Sequence, residues 1–179
     1  VLRPYFCERL EPGVRALFEK GIAGVRAAGY SVRDVAIARA DWTPDVYLHI
    51  CLPEASDYHA SDLMNHAEKY SPGVRLRLEM GRYLLAEDYV RAMRLRRVLI
   101  DSVELALDRF DALLLPALAI PAPVIGATTV DLDGTQAPIR ATMLKLTQLS
   151  NITGHPAIAL PCGAGPDGLP RSIQLVGHR

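Results

Sequence analysis

Asn151-Ile-Thr-Gly-His-Pro-Ala-Ile-Ala-Leu-Pro-Cys-Gly-Ala-Gly-Pro-Asp-Gly-Leu-Pro-Arg-Ser-Ile-Gln-Leu-Val-Gly177 is the stretch on which the reading of the whole chain turns. Ala157-Ile-Ala-Leu160 is a short apolar run between Pro156 and Pro161, and a run of that length with those bounds reads as a buried strand. Ile173-Gln-Leu-Val176 is a second one. Between them, Cys162 to Pro170 is crowded with residues that turn a chain. Glycine reaches positive φ without a Cβ clash, and proline presets its own φ. The pattern predicts strand, loop, strand, either as one hairpin or as two strands that pair elsewhere in a larger sheet.

Upstream of that block, residues 138–149 read as a helix leading to Asn151, and residues 128–136 as a turn or small hairpin about Asp133-Gly134. Three prolines in residues 116–123 leave little room for regular structure. Asp111-Ala-Leu-Leu-Leu115 is another short apolar strand. Residues 86–110, rich in Ala, Leu, Met and Arg, carry the strongest helical signal in the chain. Residues 43–70 predict one long helix, broken by Ser71-Pro-Gly73 before a short helix over residues 74–81. At the start, residues 12–28 predict an amphipathic helix with Val14, Leu17, Phe18, Ile22 and Val25 on one face. Gly29 stops it, and residues 31–37 alternate as a strand, with Val32, Val35 and Ile37 facing the core. Val1-Leu2 reads as the tail of a preceding strand. No internal repeat or low-complexity tract is present.

The 179 residues suffice for one domain with a real core, and half of them are hydrophobic. No apolar run approaches the roughly 20 residues that cross a bilayer, and Val1-Leu-Arg-Pro-Tyr-Phe6 does not read as a signal peptide. A formal net charge of zero removes any global electrostatic attraction to nucleic acid or anionic lipid. Cys7, Cys51 and Cys162 are odd in number and widely spaced, which suits a reducing cytoplasm better than a disulfide framework.

The order Asn151-x-Thr153-Gly154-x-Pro156, apolar run, Pro161-Cys-Gly163, Gly168-Leu-Pro170, Gln174-Leu-x-Gly177 closely resembles the C-terminal segment of the amidase signature family, serine hydrolases that cleave carboxamides. Weaker matches upstream are Glu54-Ala55, Tyr70-x-Pro72, Ala86-x-Asp88-Tyr89-x-x-Ala92, Asp111-x-Leu113-Leu114-x-Pro116 and Ala122-Pro123. Ala117 stands where the family usually has Thr, and Arg171-Ser172 where it has Val-Gly. The resemblance implies an α/β fold, the C-terminal part of the amidase-signature fold, with a mixed β-sheet flanked by helices. Residues 1–179 would then be one portion of a single domain whose N-terminal catalytic half lies outside this sequence. It implies no metal or organic cofactor. The partners it implies are a small-molecule amide substrate and that other half, with no membrane. Strands deprived of their neighbours also favour a homo-oligomer. Other readings are a non-catalytic scaffold or subunit, and the A-type component of an amidotransferase acting on charged transfer RNA.

Amide hydrolysis needs a nucleophile, a base and donors for the oxyanion. The family is understood to use two serines from a Gly-Ser-rich stretch and a neutral lysine. This chain has no such stretch, and Lys20, Lys69 and Lys145 stand in no matching setting, so no residue inherits a catalytic role. By position, Arg75 or Arg77 resembles the family arginine that holds the substrate's carboxylate end; a surface salt bridge is the plainer reading. Cys162 or Cys51 with a histidine such as His155 would be a rival nucleophile, although a lone buried cysteine behaves mainly as a small hydrophobe. Glu54, Asp57, His59, Asp62 and His66 suggest a metal cluster. His59 and His66, however, are two turns apart, roughly 10 Å along a helix, too far to share one ion. Asp131-Leu-Asp133-Gly134 lacks the further acids of a calcium loop. Arg91, Arg94, Arg96 and Arg97 are interspersed with Glu87, Asp88, Asp101 and Glu104, which predicts pairing within the helix over a nucleic-acid surface.

The chain by itself is expected to release no ammonia from simple aliphatic or aromatic amides, because nucleophile and base are both lacking. Ammonia release by the purified chain is the measurement. Turnover abolished by Cys162→Ala would identify a cysteine nucleophile instead.

Overall fold

Glu11 caps the first helix, its carboxylate accepting the Val14 N–H at 2.9 Å, and Pro12 occupies the first turn, where no N–H is needed. In the computed structural model, which describes residues 1–179, that helix is Pro12–Ala27 (α1). It buries Val14, Phe18 and Ile22, with Leu17 and Val25 half-buried. Then follow Thr43–Tyr58 (α2), Ala60–Asn65 (α3), Pro72–Gly81 (α4), Ala86–Leu107 (α5) and the strand Leu113–Pro116 (β1). Thr129–Leu132 (β2) and Thr135–Pro138 (β3) form a hairpin, and Ile139–Leu144 (α6), Gln148–Thr153 (α7), Ala157–Ala164 (β4) and Pro170–Val176 (β5) complete the chain.

The terminal block is a hairpin. β5 lies in the middle of a three-stranded antiparallel sheet, paired on one side with β1 (Leu113 opposite Val176) and on the other with β4 (Ala157 opposite Val176). The Leu2 N–H extends the sheet by donating to the Leu114 carbonyl at 2.9 Å, and Leu2 bridges Val35 in parallel, so strand directions are mixed. Leu113, Leu115 and Val176 face Val103 of α5 and Leu149 of α7. Leu114 and Leu175, on the opposite face, border Gly21 and Val25 of α1. Helices thus cover the sheet on both sides, as an α/β fold requires.

Several elements differ from expectation, each for a local reason. Residues 31–37 form no strand beyond the single Val35 bridge. Pro4, which has no N–H, and Tyr5, at φ 67°, turn the partner segment away after Leu2. Residues 43–70 break at His59, because the chain doubles back to set the Tyr70 hydroxyl 3.0 Å from His59 Nδ1. Residues 138–149 are two short helices. Leu146 offers its carbonyl to Gln174 Nε2 at 3.1 Å, and the Thr142 and Thr147 hydroxyls donate to the Pro138 and Leu144 carbonyls. β4 runs on to Ala164 through a bulge between Pro161 and Gly163, the latter at φ 132°, leaving a loop of only residues 165–169. Burial is uneven as well. β1 is buried throughout, whereas β4 is an outer strand with Ile158 55% and Leu160 38% exposed.

Arg171, at a departure from the family pattern, has a visible role. Its side chain is 3% exposed, forks onto Asp167 at 2.9 and 3.1 Å, and lies 3.5 Å from Glu11, joining the hairpin turn to the cap of α1. Buried charge of this kind persists only when paired.

Helix α4 crosses α2 so closely that a Cβ on Gly81 would stand 2.3 Å from the Leu52 carbonyl oxygen. Alanine gains about 1 kcal/mol over glycine inside a helix, but forcing atoms into a packed contact costs about 1–3 kcal/mol, and here the obstacle is backbone. The clash wins. Gly81→Ala is expected to lose about 1–2 kcal/mol, seen as a lower urea midpoint at constant m-value; a raised midpoint would show that the helices separate freely.

Candidate functional site

The bend between α6 and α7 turns Lys145 toward the loop that precedes α1. Its Nζ sits 4.3 Å from the centre of the Tyr5 ring, within cation–π range. Together with Arg9, Thr142 and Gln148 these side chains rim a cleft of about 360 Å³ whose walls include Leu132 and Ala137 of the β2–β3 hairpin. That hairpin turns where expected, with Asp133 and Gly134 both at positive φ (56° and 75°) and the Gly134 N–H donating to the Asp131 carboxylate at 3.0 Å.

Burial pulls the Lys145 ammonium below its usual range, opposed in part by Glu8 and reinforced by Arg9. Burial, with help from Asp41, Glu8 and Asp45, pushes the Tyr5 phenol up to about 12. The Tyr5 hydroxyl is buried and has no hydrogen-bond partner. Sequence reasoning passed over this cleft because its parts lie far apart in the chain. The local signals were a lysine between Leu144 and Leu146, and an aromatic residue directly after Pro4.

Arg75 and Arg77 lie elsewhere, on α4. Both are exposed, and Arg75 Nε is engaged by Glu79 at 2.6 Å, one turn along. Two positions on a helix are roughly 200° apart, so the two guanidinium groups leave α4 in different directions. Arg77 has no acidic partner at ion-pair distance.

Burial pushes the Cys162 thiol up, away from the thiolate a nucleophile needs. His155 does not engage it: Nδ1 sits 2.9 Å from Thr153 Oγ1, and Nε2 is buried without a partner. The polar side chains around α2 and α3 that suggest a metal cluster are held separately. Tyr89 donates to Glu54 at 2.8 Å, His59 pairs with Tyr70, and no three acidic, histidine or cysteine side chains are placed to hold an ion. On α5, Arg91 pairs with Asp88 at 3.3 Å and Arg97 with Asp101 at 2.9 Å. Arg96 turns inward and donates to the Ile152 carbonyl, fastening α5 to α7, a contact that charge pairing along the helix does not predict. No helix is long and apolar enough to cross a membrane.

Helices cover both faces of the sheet, Gln174 is buried, and the end of α7 with the turn at Gly154 is set against α5, an arrangement consistent with the amidase signature type. The amidase family model matches residues 1–179, and the chain belongs to that family. Among relatives, an amidase of Pseudomonas putida is 34% identical over 170 residues, covering 94% of this chain and 36% of its own length. AtzE, the 1-carboxybiuret hydrolase component of a Pseudomonas species, is 31% identical, covering 98% and 38%. The A-type component of the glutamyl-tRNA(Gln) amidotransferase of Syntrophus aciditrophicus is 29% identical, covering 98% and 40%. A crystal structure of an amidase superposes with a TM-score of 0.90 at 32% identity, over 98% of this chain and 40% of that one. The chain therefore spans about two fifths of the length of the relatives it matches.

Burial holds the His155 imidazole below its usual range. The unfolded chain therefore takes up the proton first, at about 6.5, and stability is full above that pH and falls as pH drops through it. The thermal midpoint is expected to decline between pH 7.5 and 5.5, and less steeply in His155→Leu. Parallel declines in both proteins would assign the effect to other groups.

Proposed function

We propose that this chain forms the substrate-side wall of a carboxamide hydrolase and supplies sheet strands to its catalytic centre. The match of the whole chain to the amidase family, with an amidase at 34% identity, carries the reading. On this reading residues 1–179 are a portion of one larger domain. Its serine nucleophile, bridging serine and lysine base come from the N-terminal part of the protein. The serine oxygen attacks the amide carbon, the C–N bond breaks as the amine leaves with a proton, and water then cleaves the acyl-serine ester to free the acid. No step calls on a metal or cofactor.

The chain's own share is positional. The cleft between the Tyr5 loop and α6 offers apolar walls and a polar rim to a small amide. On α4 we propose Arg77, which has no acidic partner, or Arg75, held by Glu79, as a further substrate contact. Three separate free cysteines suit residence in the cytoplasm. The exposed edge of β4 suits pairing with strands from the rest of the protein, or with a second copy where those are lacking. Transfer RNA is the less supported substrate, because Arg91 and Arg97 are paired within α5 and Arg96 faces inward.

Ammonia release from a panel of aliphatic and aromatic amides by the complete protein tests this. Hydrolysis of at least one amide at a rate that co-expression of the N-terminal part restores to the inactive chain is expected. A complete protein inert toward all of them, yet active in glutamine-dependent amidation of charged transfer RNA, would replace the hydrolase with the amidotransferase.

A further inference from the structure

The cleft beside Lys145 has an unbalanced charge. Arg9 and Lys145 are its only charged lining residues, and no Asp or Glu lines it. Lys145 is half-buried, yet none of the molecule's ion pairs includes it. Glu8, the acid that acts on Lys145 through space, makes no ion pair with it and accepts the Tyr5 N–H at 2.8 Å. Arg9 reaches only the Leu132 carbonyl, at 3.5 Å, and so keeps most of its donors free. A cation withdrawn from water without a counter-charge is costly, and folded proteins rarely leave one so. Here the ring of Tyr5 offers partial compensation from one side, while the other side opens into the cleft.

We propose that the cleft is a carboxylate site, in which Lys145 and Arg9 hold the acid group of a short aliphatic ligand. Leu132, Ala137 and Ala141 give its carbon chain an apolar bed, and Thr142 and Gln148 stand at the rim. A volume of about 360 Å³ lies at the small end of ligand sites, which suits a chain of a few carbons. Resting on the hydrolase reading, this makes the preferred substrate an amide with a carboxylate at its far end, and sets that carboxylate against Lys145 rather than against α4.

The test has two arms on the complete protein. In the first, calorimetry measures binding of succinate and of inorganic phosphate. Succinate is expected to bind in preference to phosphate, to weaken about tenfold in Lys145→Met and to recover in Lys145→Arg. In the second, the ratio of kcat/KM for succinamate over butanamide is expected to fall about tenfold in Lys145→Met, a change that general loss of structure would not produce. Unchanged succinate affinity in a Lys145→Met protein with native circular dichroism overturns the inference, as does tighter binding of phosphate. So does a fall in the ratio in Arg77→Lys with none at Lys145. Should Lys145→Met fail to fold, Arg9→Gln on the exposed rim carries the same expectations. Succinate bound through Lys145 by a protein that hydrolyses no amide sustains this site and removes the hydrolase reading, so the two fail separately.

Discussion

The double hydrogen-bond ladder of β5 is the constraint from which the other layers take their positions. One edge holds β1 and the other β4, and neither of those strands pairs with anything else among the five. Side chains of the same strand extend the control beyond the sheet. Gln174 donates to the Leu146 carbonyl at the bend between α6 and α7. Arg171 reaches the cap of α1 through Glu11. Beside the carbonyl that Gln174 holds, Lys145 lies over the Tyr5 ring.

What was legible in the sequence was what repeats locally. Apolar positions at helical spacing identified α1, the concentration of strong helix formers identified α5, and the turn chemistry of Asp133-Gly134 located the β2–β3 hairpin. The family motif from Asn151 to Gly177 marked the strands that became β4 and β5. Contacts across long separations left no such trace. Nothing near Arg96 announces that it will bond the Ile152 carbonyl, and nothing near Lys145 points to Tyr5. The expected carboxylate contacts at Arg75 and Arg77 came from position in a motif. The plainer reading of either residue, a surface salt bridge, is what Arg75 forms with Glu79 one turn away.

The sheet is also asymmetric in a way composition conceals. β1 and β4 are similarly apolar, yet β1 is buried throughout and β4 stands open. Two features restrain that open edge. Pro161 removes a donor from the strand, and the bulge at Cys162 bends it, so only Ala157 to Leu160 offers a regular ladder. The outer strand therefore offers only a short regular edge, which discourages indefinite stacking.

The separation between β1 and β5 has a consequence for how the chain is made. Leu113 leaves the ribosome well before its only strand partner, Val176, with two hairpin strands, two short helices and β4 still to be synthesised between them. During that interval the three leucines of β1 lack their β5 ladder, with only the Leu2 N–H available to the Leu114 carbonyl, and α5, emerging just ahead and already able to form locally, is their available shelter through Val103. The three-stranded sheet cannot close until β5 is made, which leaves this long-range pairing among the slower contacts of the fold.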